Sequence, residues 1–362
     1  MKITHFHTDH YRIPLPNVLS DSTHGDITHF GLITARVETS SGAEGIGYTY
    51  CVGDVGGTAI HALTRDDLGP LLVGEESDRI EQLWERMWWH VHFVGRGGAA
   101  SFALAAVDVA LWDLRGKAQN MPWWRLLGGH DTHVPVYAGG IDLQFSHEAL
   151  LAQADEFQAQ GFRAIKMKVG RDRLSEDLDR VAAMRDHLGP DFPLMADANM
   201  RWRVDEAIRA ARGLADFDLY WLEEPTIPDD VAGHARIARE GGLPIATGEN
   251  FHTVYEFQQM IAQGAISFPE PDVATLGGVT PWLKVAHLAE TCNLPVTTHG
   301  VHDLQVHLLA AIPNSSYLEA HGFGLDRFIL NPLTIEDGYA VAPNRAGHGV
   351  VFDWEALEEF RR

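Results

Sequence analysis

The stretch Phe162-Arg163-Ala164-Ile165-Lys166-Met167-Lys168-Val169-Gly170 decides how this chain folds. Side chains on a strand alternate between its faces, so Ile165, Met167 and Val169 share one face while Lys166 and Lys168 share the other. The run follows a helical segment, 147–160, which Ser146 caps and Gly161 closes. A strand set among helices in this way belongs to a parallel sheet covered on both faces. Two ammonium groups pointing into such an interior require anions, and neighbouring strands must supply them.

The same alternation continues on either side. Strands are expected at 134–138, 192–199, 218–224, 244–249, 266–272, 295–299 and 317–319, with helices over 175–188, 204–217, 231–240, 254–263 and 280–292 between them. Eight strands that mostly alternate with helices predict an α/β fold of the (β/α) barrel kind, with its chemistry at the C-terminal ends of the strands. An open doubly wound sheet is the runner-up. Its Gly-rich turn would fall at Gly139-Gly140, which lacks the full fingerprint.

After the first strand, every strand closes on ionisable residues: Lys166 and Lys168, Asp197 with Asn199, Glu223 with Glu224, Glu249, Asp272, His299, Glu319. One carboxylate at a strand end is ordinarily a cap or a loop anchor; seven strands ending this way point to a common site on one rim. Asp197, Glu223 and Glu249 follow one another one βα unit apart, and three such anions side by side need a cation among them. Oxygen ligands without Cys or neighbouring His favour Mg²⁺, with Mn²⁺ as second choice. Asp272, one strand before His299, is placed to hold the imidazole in one tautomer, which makes His299 an acid or base.

Composition sets the partners. Asp and Glu number 50 against 28 Lys and Arg, a formal charge of −22, which excludes nucleic acid and anionic membrane and leaves a small anion drawn to a local site. Cys51 and Cys292, far apart in sequence, fit a reducing compartment, so a cytoplasmic protein is expected. No apolar run reaches the roughly 18 residues of a membrane span.

The N-terminal part is built differently. Residues 1–50 read as an antiparallel meander and 58–127 as helical, which makes 1–128 a small α+β domain, 129–325 the barrel, and 326–362 a tail returning to the small domain. Residues 17–26 are polar and too irregular for a strand, and are expected to be a loop.

The runs Lys166-Met167-Lys168, Asp197-Ala198-Asn199, Trp221-Leu222-Glu223-Glu224-Pro225, Thr247-Gly248-Glu249-Asn250, Pro271-Asp272 with Gly277-Gly278-Val279-Thr280, then His299 and Tyr317-Leu318-Glu319, resemble the enolase superfamily, in particular its mandelate racemase subgroup. The resemblance spans the whole chain. It implies a (β/α)7β barrel under an N-terminal α+β capping domain completed by the C-terminal tail, and Mg²⁺ on Asp197, Glu223 and Glu249. Strand parity leaves Glu223 and Glu224 open; the interval and the motif favour Glu223. The resemblance implies Lys168 as base, with its pKa lowered by Lys166, which also touches the substrate carboxylate. His299 with Asp272 becomes the acid or base of the opposite face, and a protonated Glu319 donates to the second carboxylate oxygen. It further implies removal of the α-proton of a carboxylate through an ene-diolate, and a homo-oligomer. Elimination of a β-hydroxyl from a sugar acid, an aldarate of the galactarate or talarate kind or an aldonate, is the expected outcome. Racemisation of a 2-hydroxy acid is the alternative, and a non-catalytic or unrelated Mg²⁺ barrel the remote one. His24, Tyr48 and Arg96 are candidates for the distal end of the substrate, with Asn199 and His302 at the rim.

Overall fold

The computed structural model describes residues 1–321 and 323–362. Three antiparallel strands, β1 (Ile3–Asp21), β2 (Gly25–Thr39) and β3 (Glu44–Val52), form the capping sheet, with β2 in the middle. The sheet packs on the helix Ala99–Ala118, whose alanines let the backbones approach closely. At Gly47 a Cβ would stand 2.1 Å from Ala106 O and 2.4 Å from Ala110 N, so only glycine fits there. Gly47→Ala must therefore push the sheet off the helix, and a loss of roughly 3 kcal/mol of stability is expected. An unchanged melting midpoint would refute this contact.

The segment expected to be a loop, 17–26, is instead the tip of the β1–β2 hairpin. Pairing lapses between Pro14↔His29 and Leu19↔Ile27 and then resumes to Asp21↔Gly25. Pro14 and Pro16 lack the N–H groups that a ladder uses, which explains both the lapse and the loop-like sequence. The tip crosses to the barrel, where Ser22 Oγ donates to Ala198 O (2.8 Å) and Thr23 Oγ1 to Asn199 O.

The barrel strands β4 (His133–Gly139), β5 (Ile165–Lys168), β6 (Leu194–Asp197), β7 (Leu222–Glu223), β8 (Ile245–Thr247) and β9 (Phe268–Pro269) pair in parallel in that order, and β10 (Leu318–Ala320) pairs with β4. Residues 296–298 close the ring: Thr297 N donates to Pro269 O, and Ser316 N to Val296 O just before β10. Helices between the strands cover the outside. The family-implied (β/α)7β barrel under a capping sheet is thus the fold observed. The tail pairs β12 (Tyr339–Val341), which follows β11 (Ile335–Glu336), against the start of β4, and then reaches β1, where Arg12 N donates to Phe360 O. No helix among the described residues is long and apolar enough to cross a membrane.

The inward side chains stack in layers. Tyr137, Ala164, Met195, Trp221 and Ala246, with Phe268 and Tyr317, fill the barrel. Two residues further along the same strands come Gly139, Lys166, Asp197, Glu223, Gly248, Glu270 and Glu319, because a period of two returns each strand to the same face. The charged layer therefore rests on an aromatic floor that keeps water out from below.

Candidate active site

Lys166 is fully buried at the centre of the charged layer. Its Nζ lies 2.5 Å from Glu223 Oε1, 2.8 Å from Glu319 Oε1 and 3.7 Å from Asp197 Oδ2. Burial alone would lower this lysine, but Glu223 and Glu319 raise it well above its usual range. Lys168, one layer higher, lies 2.5 Å from Asp197 Oδ2. Sequence reasoning expects a lowered Lys168. Burial and Lys166 do act in that direction, but the Asp197 carboxylate outweighs them and the net shift is upward.

Asp197, Glu223 and Glu249 each present a carboxylate oxygen within 4.8 Å of the others. Glu224 does not belong to this set. Its backbone turns into the left-handed region (φ 40°), and its Oε1 accepts from Asn250 Nδ2 at 2.7 Å. The three-carboxylate set fits a hard divalent cation on its own evidence. Glu249 Oε2 is buried and makes no well-formed hydrogen bond among the described residues, with His299 Nε2 3.1 Å away, and burial and Asp197, opposed by Lys166, push Glu223 upward, as expected of crowded anions.

Across the cavity, Asp272 is fully buried. Its Oδ1 accepts from Ala274 N, and its Oδ2 accepts from Tyr50 OH at 2.8 Å and lies 3.1 Å from His299 Nδ1. His299 Nε2 is then the nitrogen facing the site, 3.1 Å from Glu249 Oε2 and 3.9 Å from Glu319 Oε2. Burial disfavours the imidazolium, yet Glu249, Glu319 and Asp272 together raise His299 to about 10, so it carries its proton at neutral pH. Glu319 departs from expectation. Burial pushes it up, but Lys166, His321 and His299 hold it well below the carboxylate range, so it is ionised in this state and not protonated.

The cavity above these groups is lined by Lys168, Asn199, Glu249, His299, Glu319 and the hairpin residues Asp21, His24 and Ile27, with Val52, Gly140, Ile141, His321 and Phe323 completing the wall. It measures about 50 Å³, space for a few waters. His24 and Asn199 thus lie where sequence reasoning puts them, with His24 Nδ1 tied to Asp21 Oδ2 at 2.8 Å. Three others do not. Tyr48 is buried in the core edge-on to Phe352. Arg96 lines a separate groove with Trp84, Trp89 and Tyr255. His302 faces a neighbouring pocket with Val301 and lies 3.5 Å from Asp303.

Sequence reasoning missed Tyr50, Glu270 and His321. Tyr50 shares the face of Tyr48 one pleat closer to the barrel. Glu270 lies two residues before Asp272, hence on the same inward line, and accepts from Tyr137 OH at 3.3 Å. Burial drives Glu270 well above the usual carboxylate range.

A capped (β/α)7β barrel with three carboxylates for a divalent cation, a buried lysine pair and a His–Asp pair on opposite sides defines a class of metal-assisted proton-abstracting enzymes. Residues 3–128 match the mandelate racemase / muconate lactonizing enzyme N-terminal domain and residues 149–356 the enolase C-terminal domain-like family. The chain belongs to the enolase superfamily, in its mandelate racemase and muconate lactonizing group. Among relatives, it is 57% identical over 350 residues to 3,6-anhydro-alpha-L-galactonate cycloisomerase of Streptomyces coelicolor, covering 97% of each chain. It is 33% identical to the L-talarate/galactarate dehydratase of Salmonella typhimurium, covering 95% of this chain and 87% of that one. A magnesium-bound structure described as a racemase from Streptomyces coelicolor superposes with TM-score 0.97 at 55% identity, covering 99% of this chain and 100% of that one. Mg²⁺ is the cofactor of the family.

Proposed function

We propose that this enzyme removes the α-proton of a sugar monocarboxylate and expels the oxygen on C3, and that this oxygen belongs to a 3,6-anhydro ring. The observation carrying the choice is the far wall of the cavity. Ile27, Val52, Ile141 and Phe323 are apolar, and among the lining residues the only Lys or Arg is Lys168, which belongs to the reacting end. His24, the one other basic side chain at the hairpin, is already neutralised by Asp21. A second carboxylate would enter that wall without a counter-charge, at a cost of several kcal/mol, whereas an ether ring presents mainly carbon. The 57% identical cycloisomerase supports the same reading.

Each residue then has a task. Lys166 holds one oxygen of the substrate carboxylate and stays charged throughout. Asp197, Glu223 and Glu249 would hold Mg²⁺, which would offset the anionic charge that otherwise keeps Lys168 protonated and supply positive charge where the ene-diolate develops. Lys168 takes the C2 proton. His299, held by Asp272 and Tyr50, gives its proton to the leaving C3 oxygen as the C–O bond breaks. That oxygen stays on C6 as a hydroxyl, and the enol takes up a proton at C3 to give a 2-keto-3-deoxy acid isomeric with the substrate. Dehydration of an open-chain acid sugar uses the same residues and is the second reading, favoured by the 33% identical dehydratase.

The test is product identity by NMR and mass. With Mg²⁺, 3,6-anhydrogalactonate should give a keto acid of unchanged mass, faster than galactarate gives one lighter by a water. Faster turnover of galactarate would favour the diacid dehydratase. α-Deuterium exchange in D₂O without any keto product would leave racemisation.

A further inference from the structure

His321 has no role in the chemistry above, yet it is placed as a working residue. Tyr317, Glu319 and His321 follow one inward line on the last strand, so His321 occupies the layer of Lys168 and Asp272 above the charged layer. Its side chain is 5% exposed and lines the same cavity. Its Nε2 lies 3.4 Å from Glu319 Oε2, and its ring centroid is 5.4 Å from that of His299. Phe323 packs edge-on against it at 4.8 Å. The opposite strand makes room for this arrangement, because a Cβ on Gly139 would come within 3.0 Å of His321 Cβ and 2.7 Å of Glu319 Oε1. Glycine at the end of β4 is thus the reason that strand alone contributes no charged group.

The ring's tautomer follows from its two nitrogens. Nδ1 is buried without a hydrogen-bond partner among the described residues. A buried N–H left unmade is rarer than an unused lone pair, so the proton belongs on Nε2, beside the Glu319 carboxylate. Burial also pushes the imidazole down to about 3, which keeps it neutral. The structure therefore holds a neutral, fixed N–H donor next to His299 on the cavity wall.

We propose that His321 is a substrate-binding, specificity-determining residue, its Nε2–H donating to a hydroxyl of the sugar acid just beyond the leaving oxygen. This rests on the acid-sugar reading above. A donor built for one oxygen discriminates strongly against substrates that lack it or carry it in the other configuration, because the buried group is then left unpaired. Glu319 Oε2, 3.4 Å from Nε2, and Phe323, packed edge-on, keep the ring in position.

The experiment compares wild type, His321→Phe and His321→Asn, each loaded with Mg²⁺, on 3,6-anhydrogalactonate and on open-chain acid sugars in D₂O, following keto product and C2 deuterium. His321→Phe keeps the ring's bulk and loses the donor. We expect about 100-fold lower kcat/KM, carried mainly by KM, with the preference between C4 epimers reduced at least tenfold and Mg²⁺ affinity by calorimetry within twofold of wild type. His321→Asn should recover part of the loss, which a merely structural role would not predict. Wild-type kinetics and unchanged epimer preference in the Phe variant would overturn the assignment while leaving the acid-sugar reading intact. A wild-type enzyme that neither exchanges nor converts any of these acids would overturn that reading, and this inference with it.

Discussion

Replacing Asp197 by Asn should lower turnover by at least about 10³-fold and abolish measurable Mg²⁺ binding. Two losses combine in one side chain. Asp197 is fully buried, its Oδ2 lies 2.5 Å from Lys168 Nζ, and it is one of three carboxylates whose oxygens lie within 4.8 Å of one another. The amide keeps the shape but removes the charge, so the cation loses a ligand and Lys168 loses the anion that positions it. Calorimetric titration with MgCl₂ and a progress curve with and without chelator measure the two effects separately. The fold should survive, because a buried carboxylate set without its cation repels itself, and removing one charge relieves that repulsion. A variant that still turns over at a tenth of the wild-type rate in excess chelator would sink the metal assignment.

How much of this was legible in the sequence can be argued residue by residue. The layer Lys166, Asp197, Glu223 and Glu319 was legible because a parallel barrel repeats its strand ends at regular chain intervals and a strand repeats its face every second residue. Glu249 was found by its interval, although it stands one residue past Gly248 and hence outside the inward line. Glu270 escaped because Asp272, two residues on, already closed the strand; parity pointed to both. His321 escapes for the mirror reason, since the sequence pattern closes the strand at Glu319. In each case the period of two carried the signal and the strand boundary hid it.

Long-range placement was the less legible part. Whether Tyr48 or Tyr50 meets the barrel depends on how far along the pleat the capping sheet docks, which no local pattern encodes. The tip at 17–26 looked like a loop because its prolines interrupt one stretch of pairing. Contacts with the backbone of 198–199 and a bridge from Ser20 to Asp142 hold it over the cavity. The charge states of Glu319 and Lys168 were also beyond a sequence reading. Both depend on which of several neighbouring charges lies nearest, 2.8 Å in one case and 2.5 Å in the other.

His299→Asn should separate the two half-reactions. Asparagine keeps a polar group facing Asp272 and Tyr50 but cannot deliver a proton, so elimination is expected to fall by about 10²–10⁴-fold, the usual worth of a positioned acid. Lys168 stands on another strand, with its own partner in Asp197. C2 deuterium exchange from D₂O should therefore continue at a substantial fraction of the wild-type rate, and the substrate pool should label without converting. This ordering of effects depends on the assignment of roles to the two faces. If the variant loses exchange and elimination together, His299 is the base and Lys168 the partner of the opposite face, and the physiological substrate carries its C2 hydrogen on the histidine side. If elimination proceeds at the wild-type rate, the leaving oxygen takes its proton from a group other than His299. Measuring both rates on one labelled sample resolves the three cases, because each predicts a different ratio of deuterated substrate to keto acid at early times.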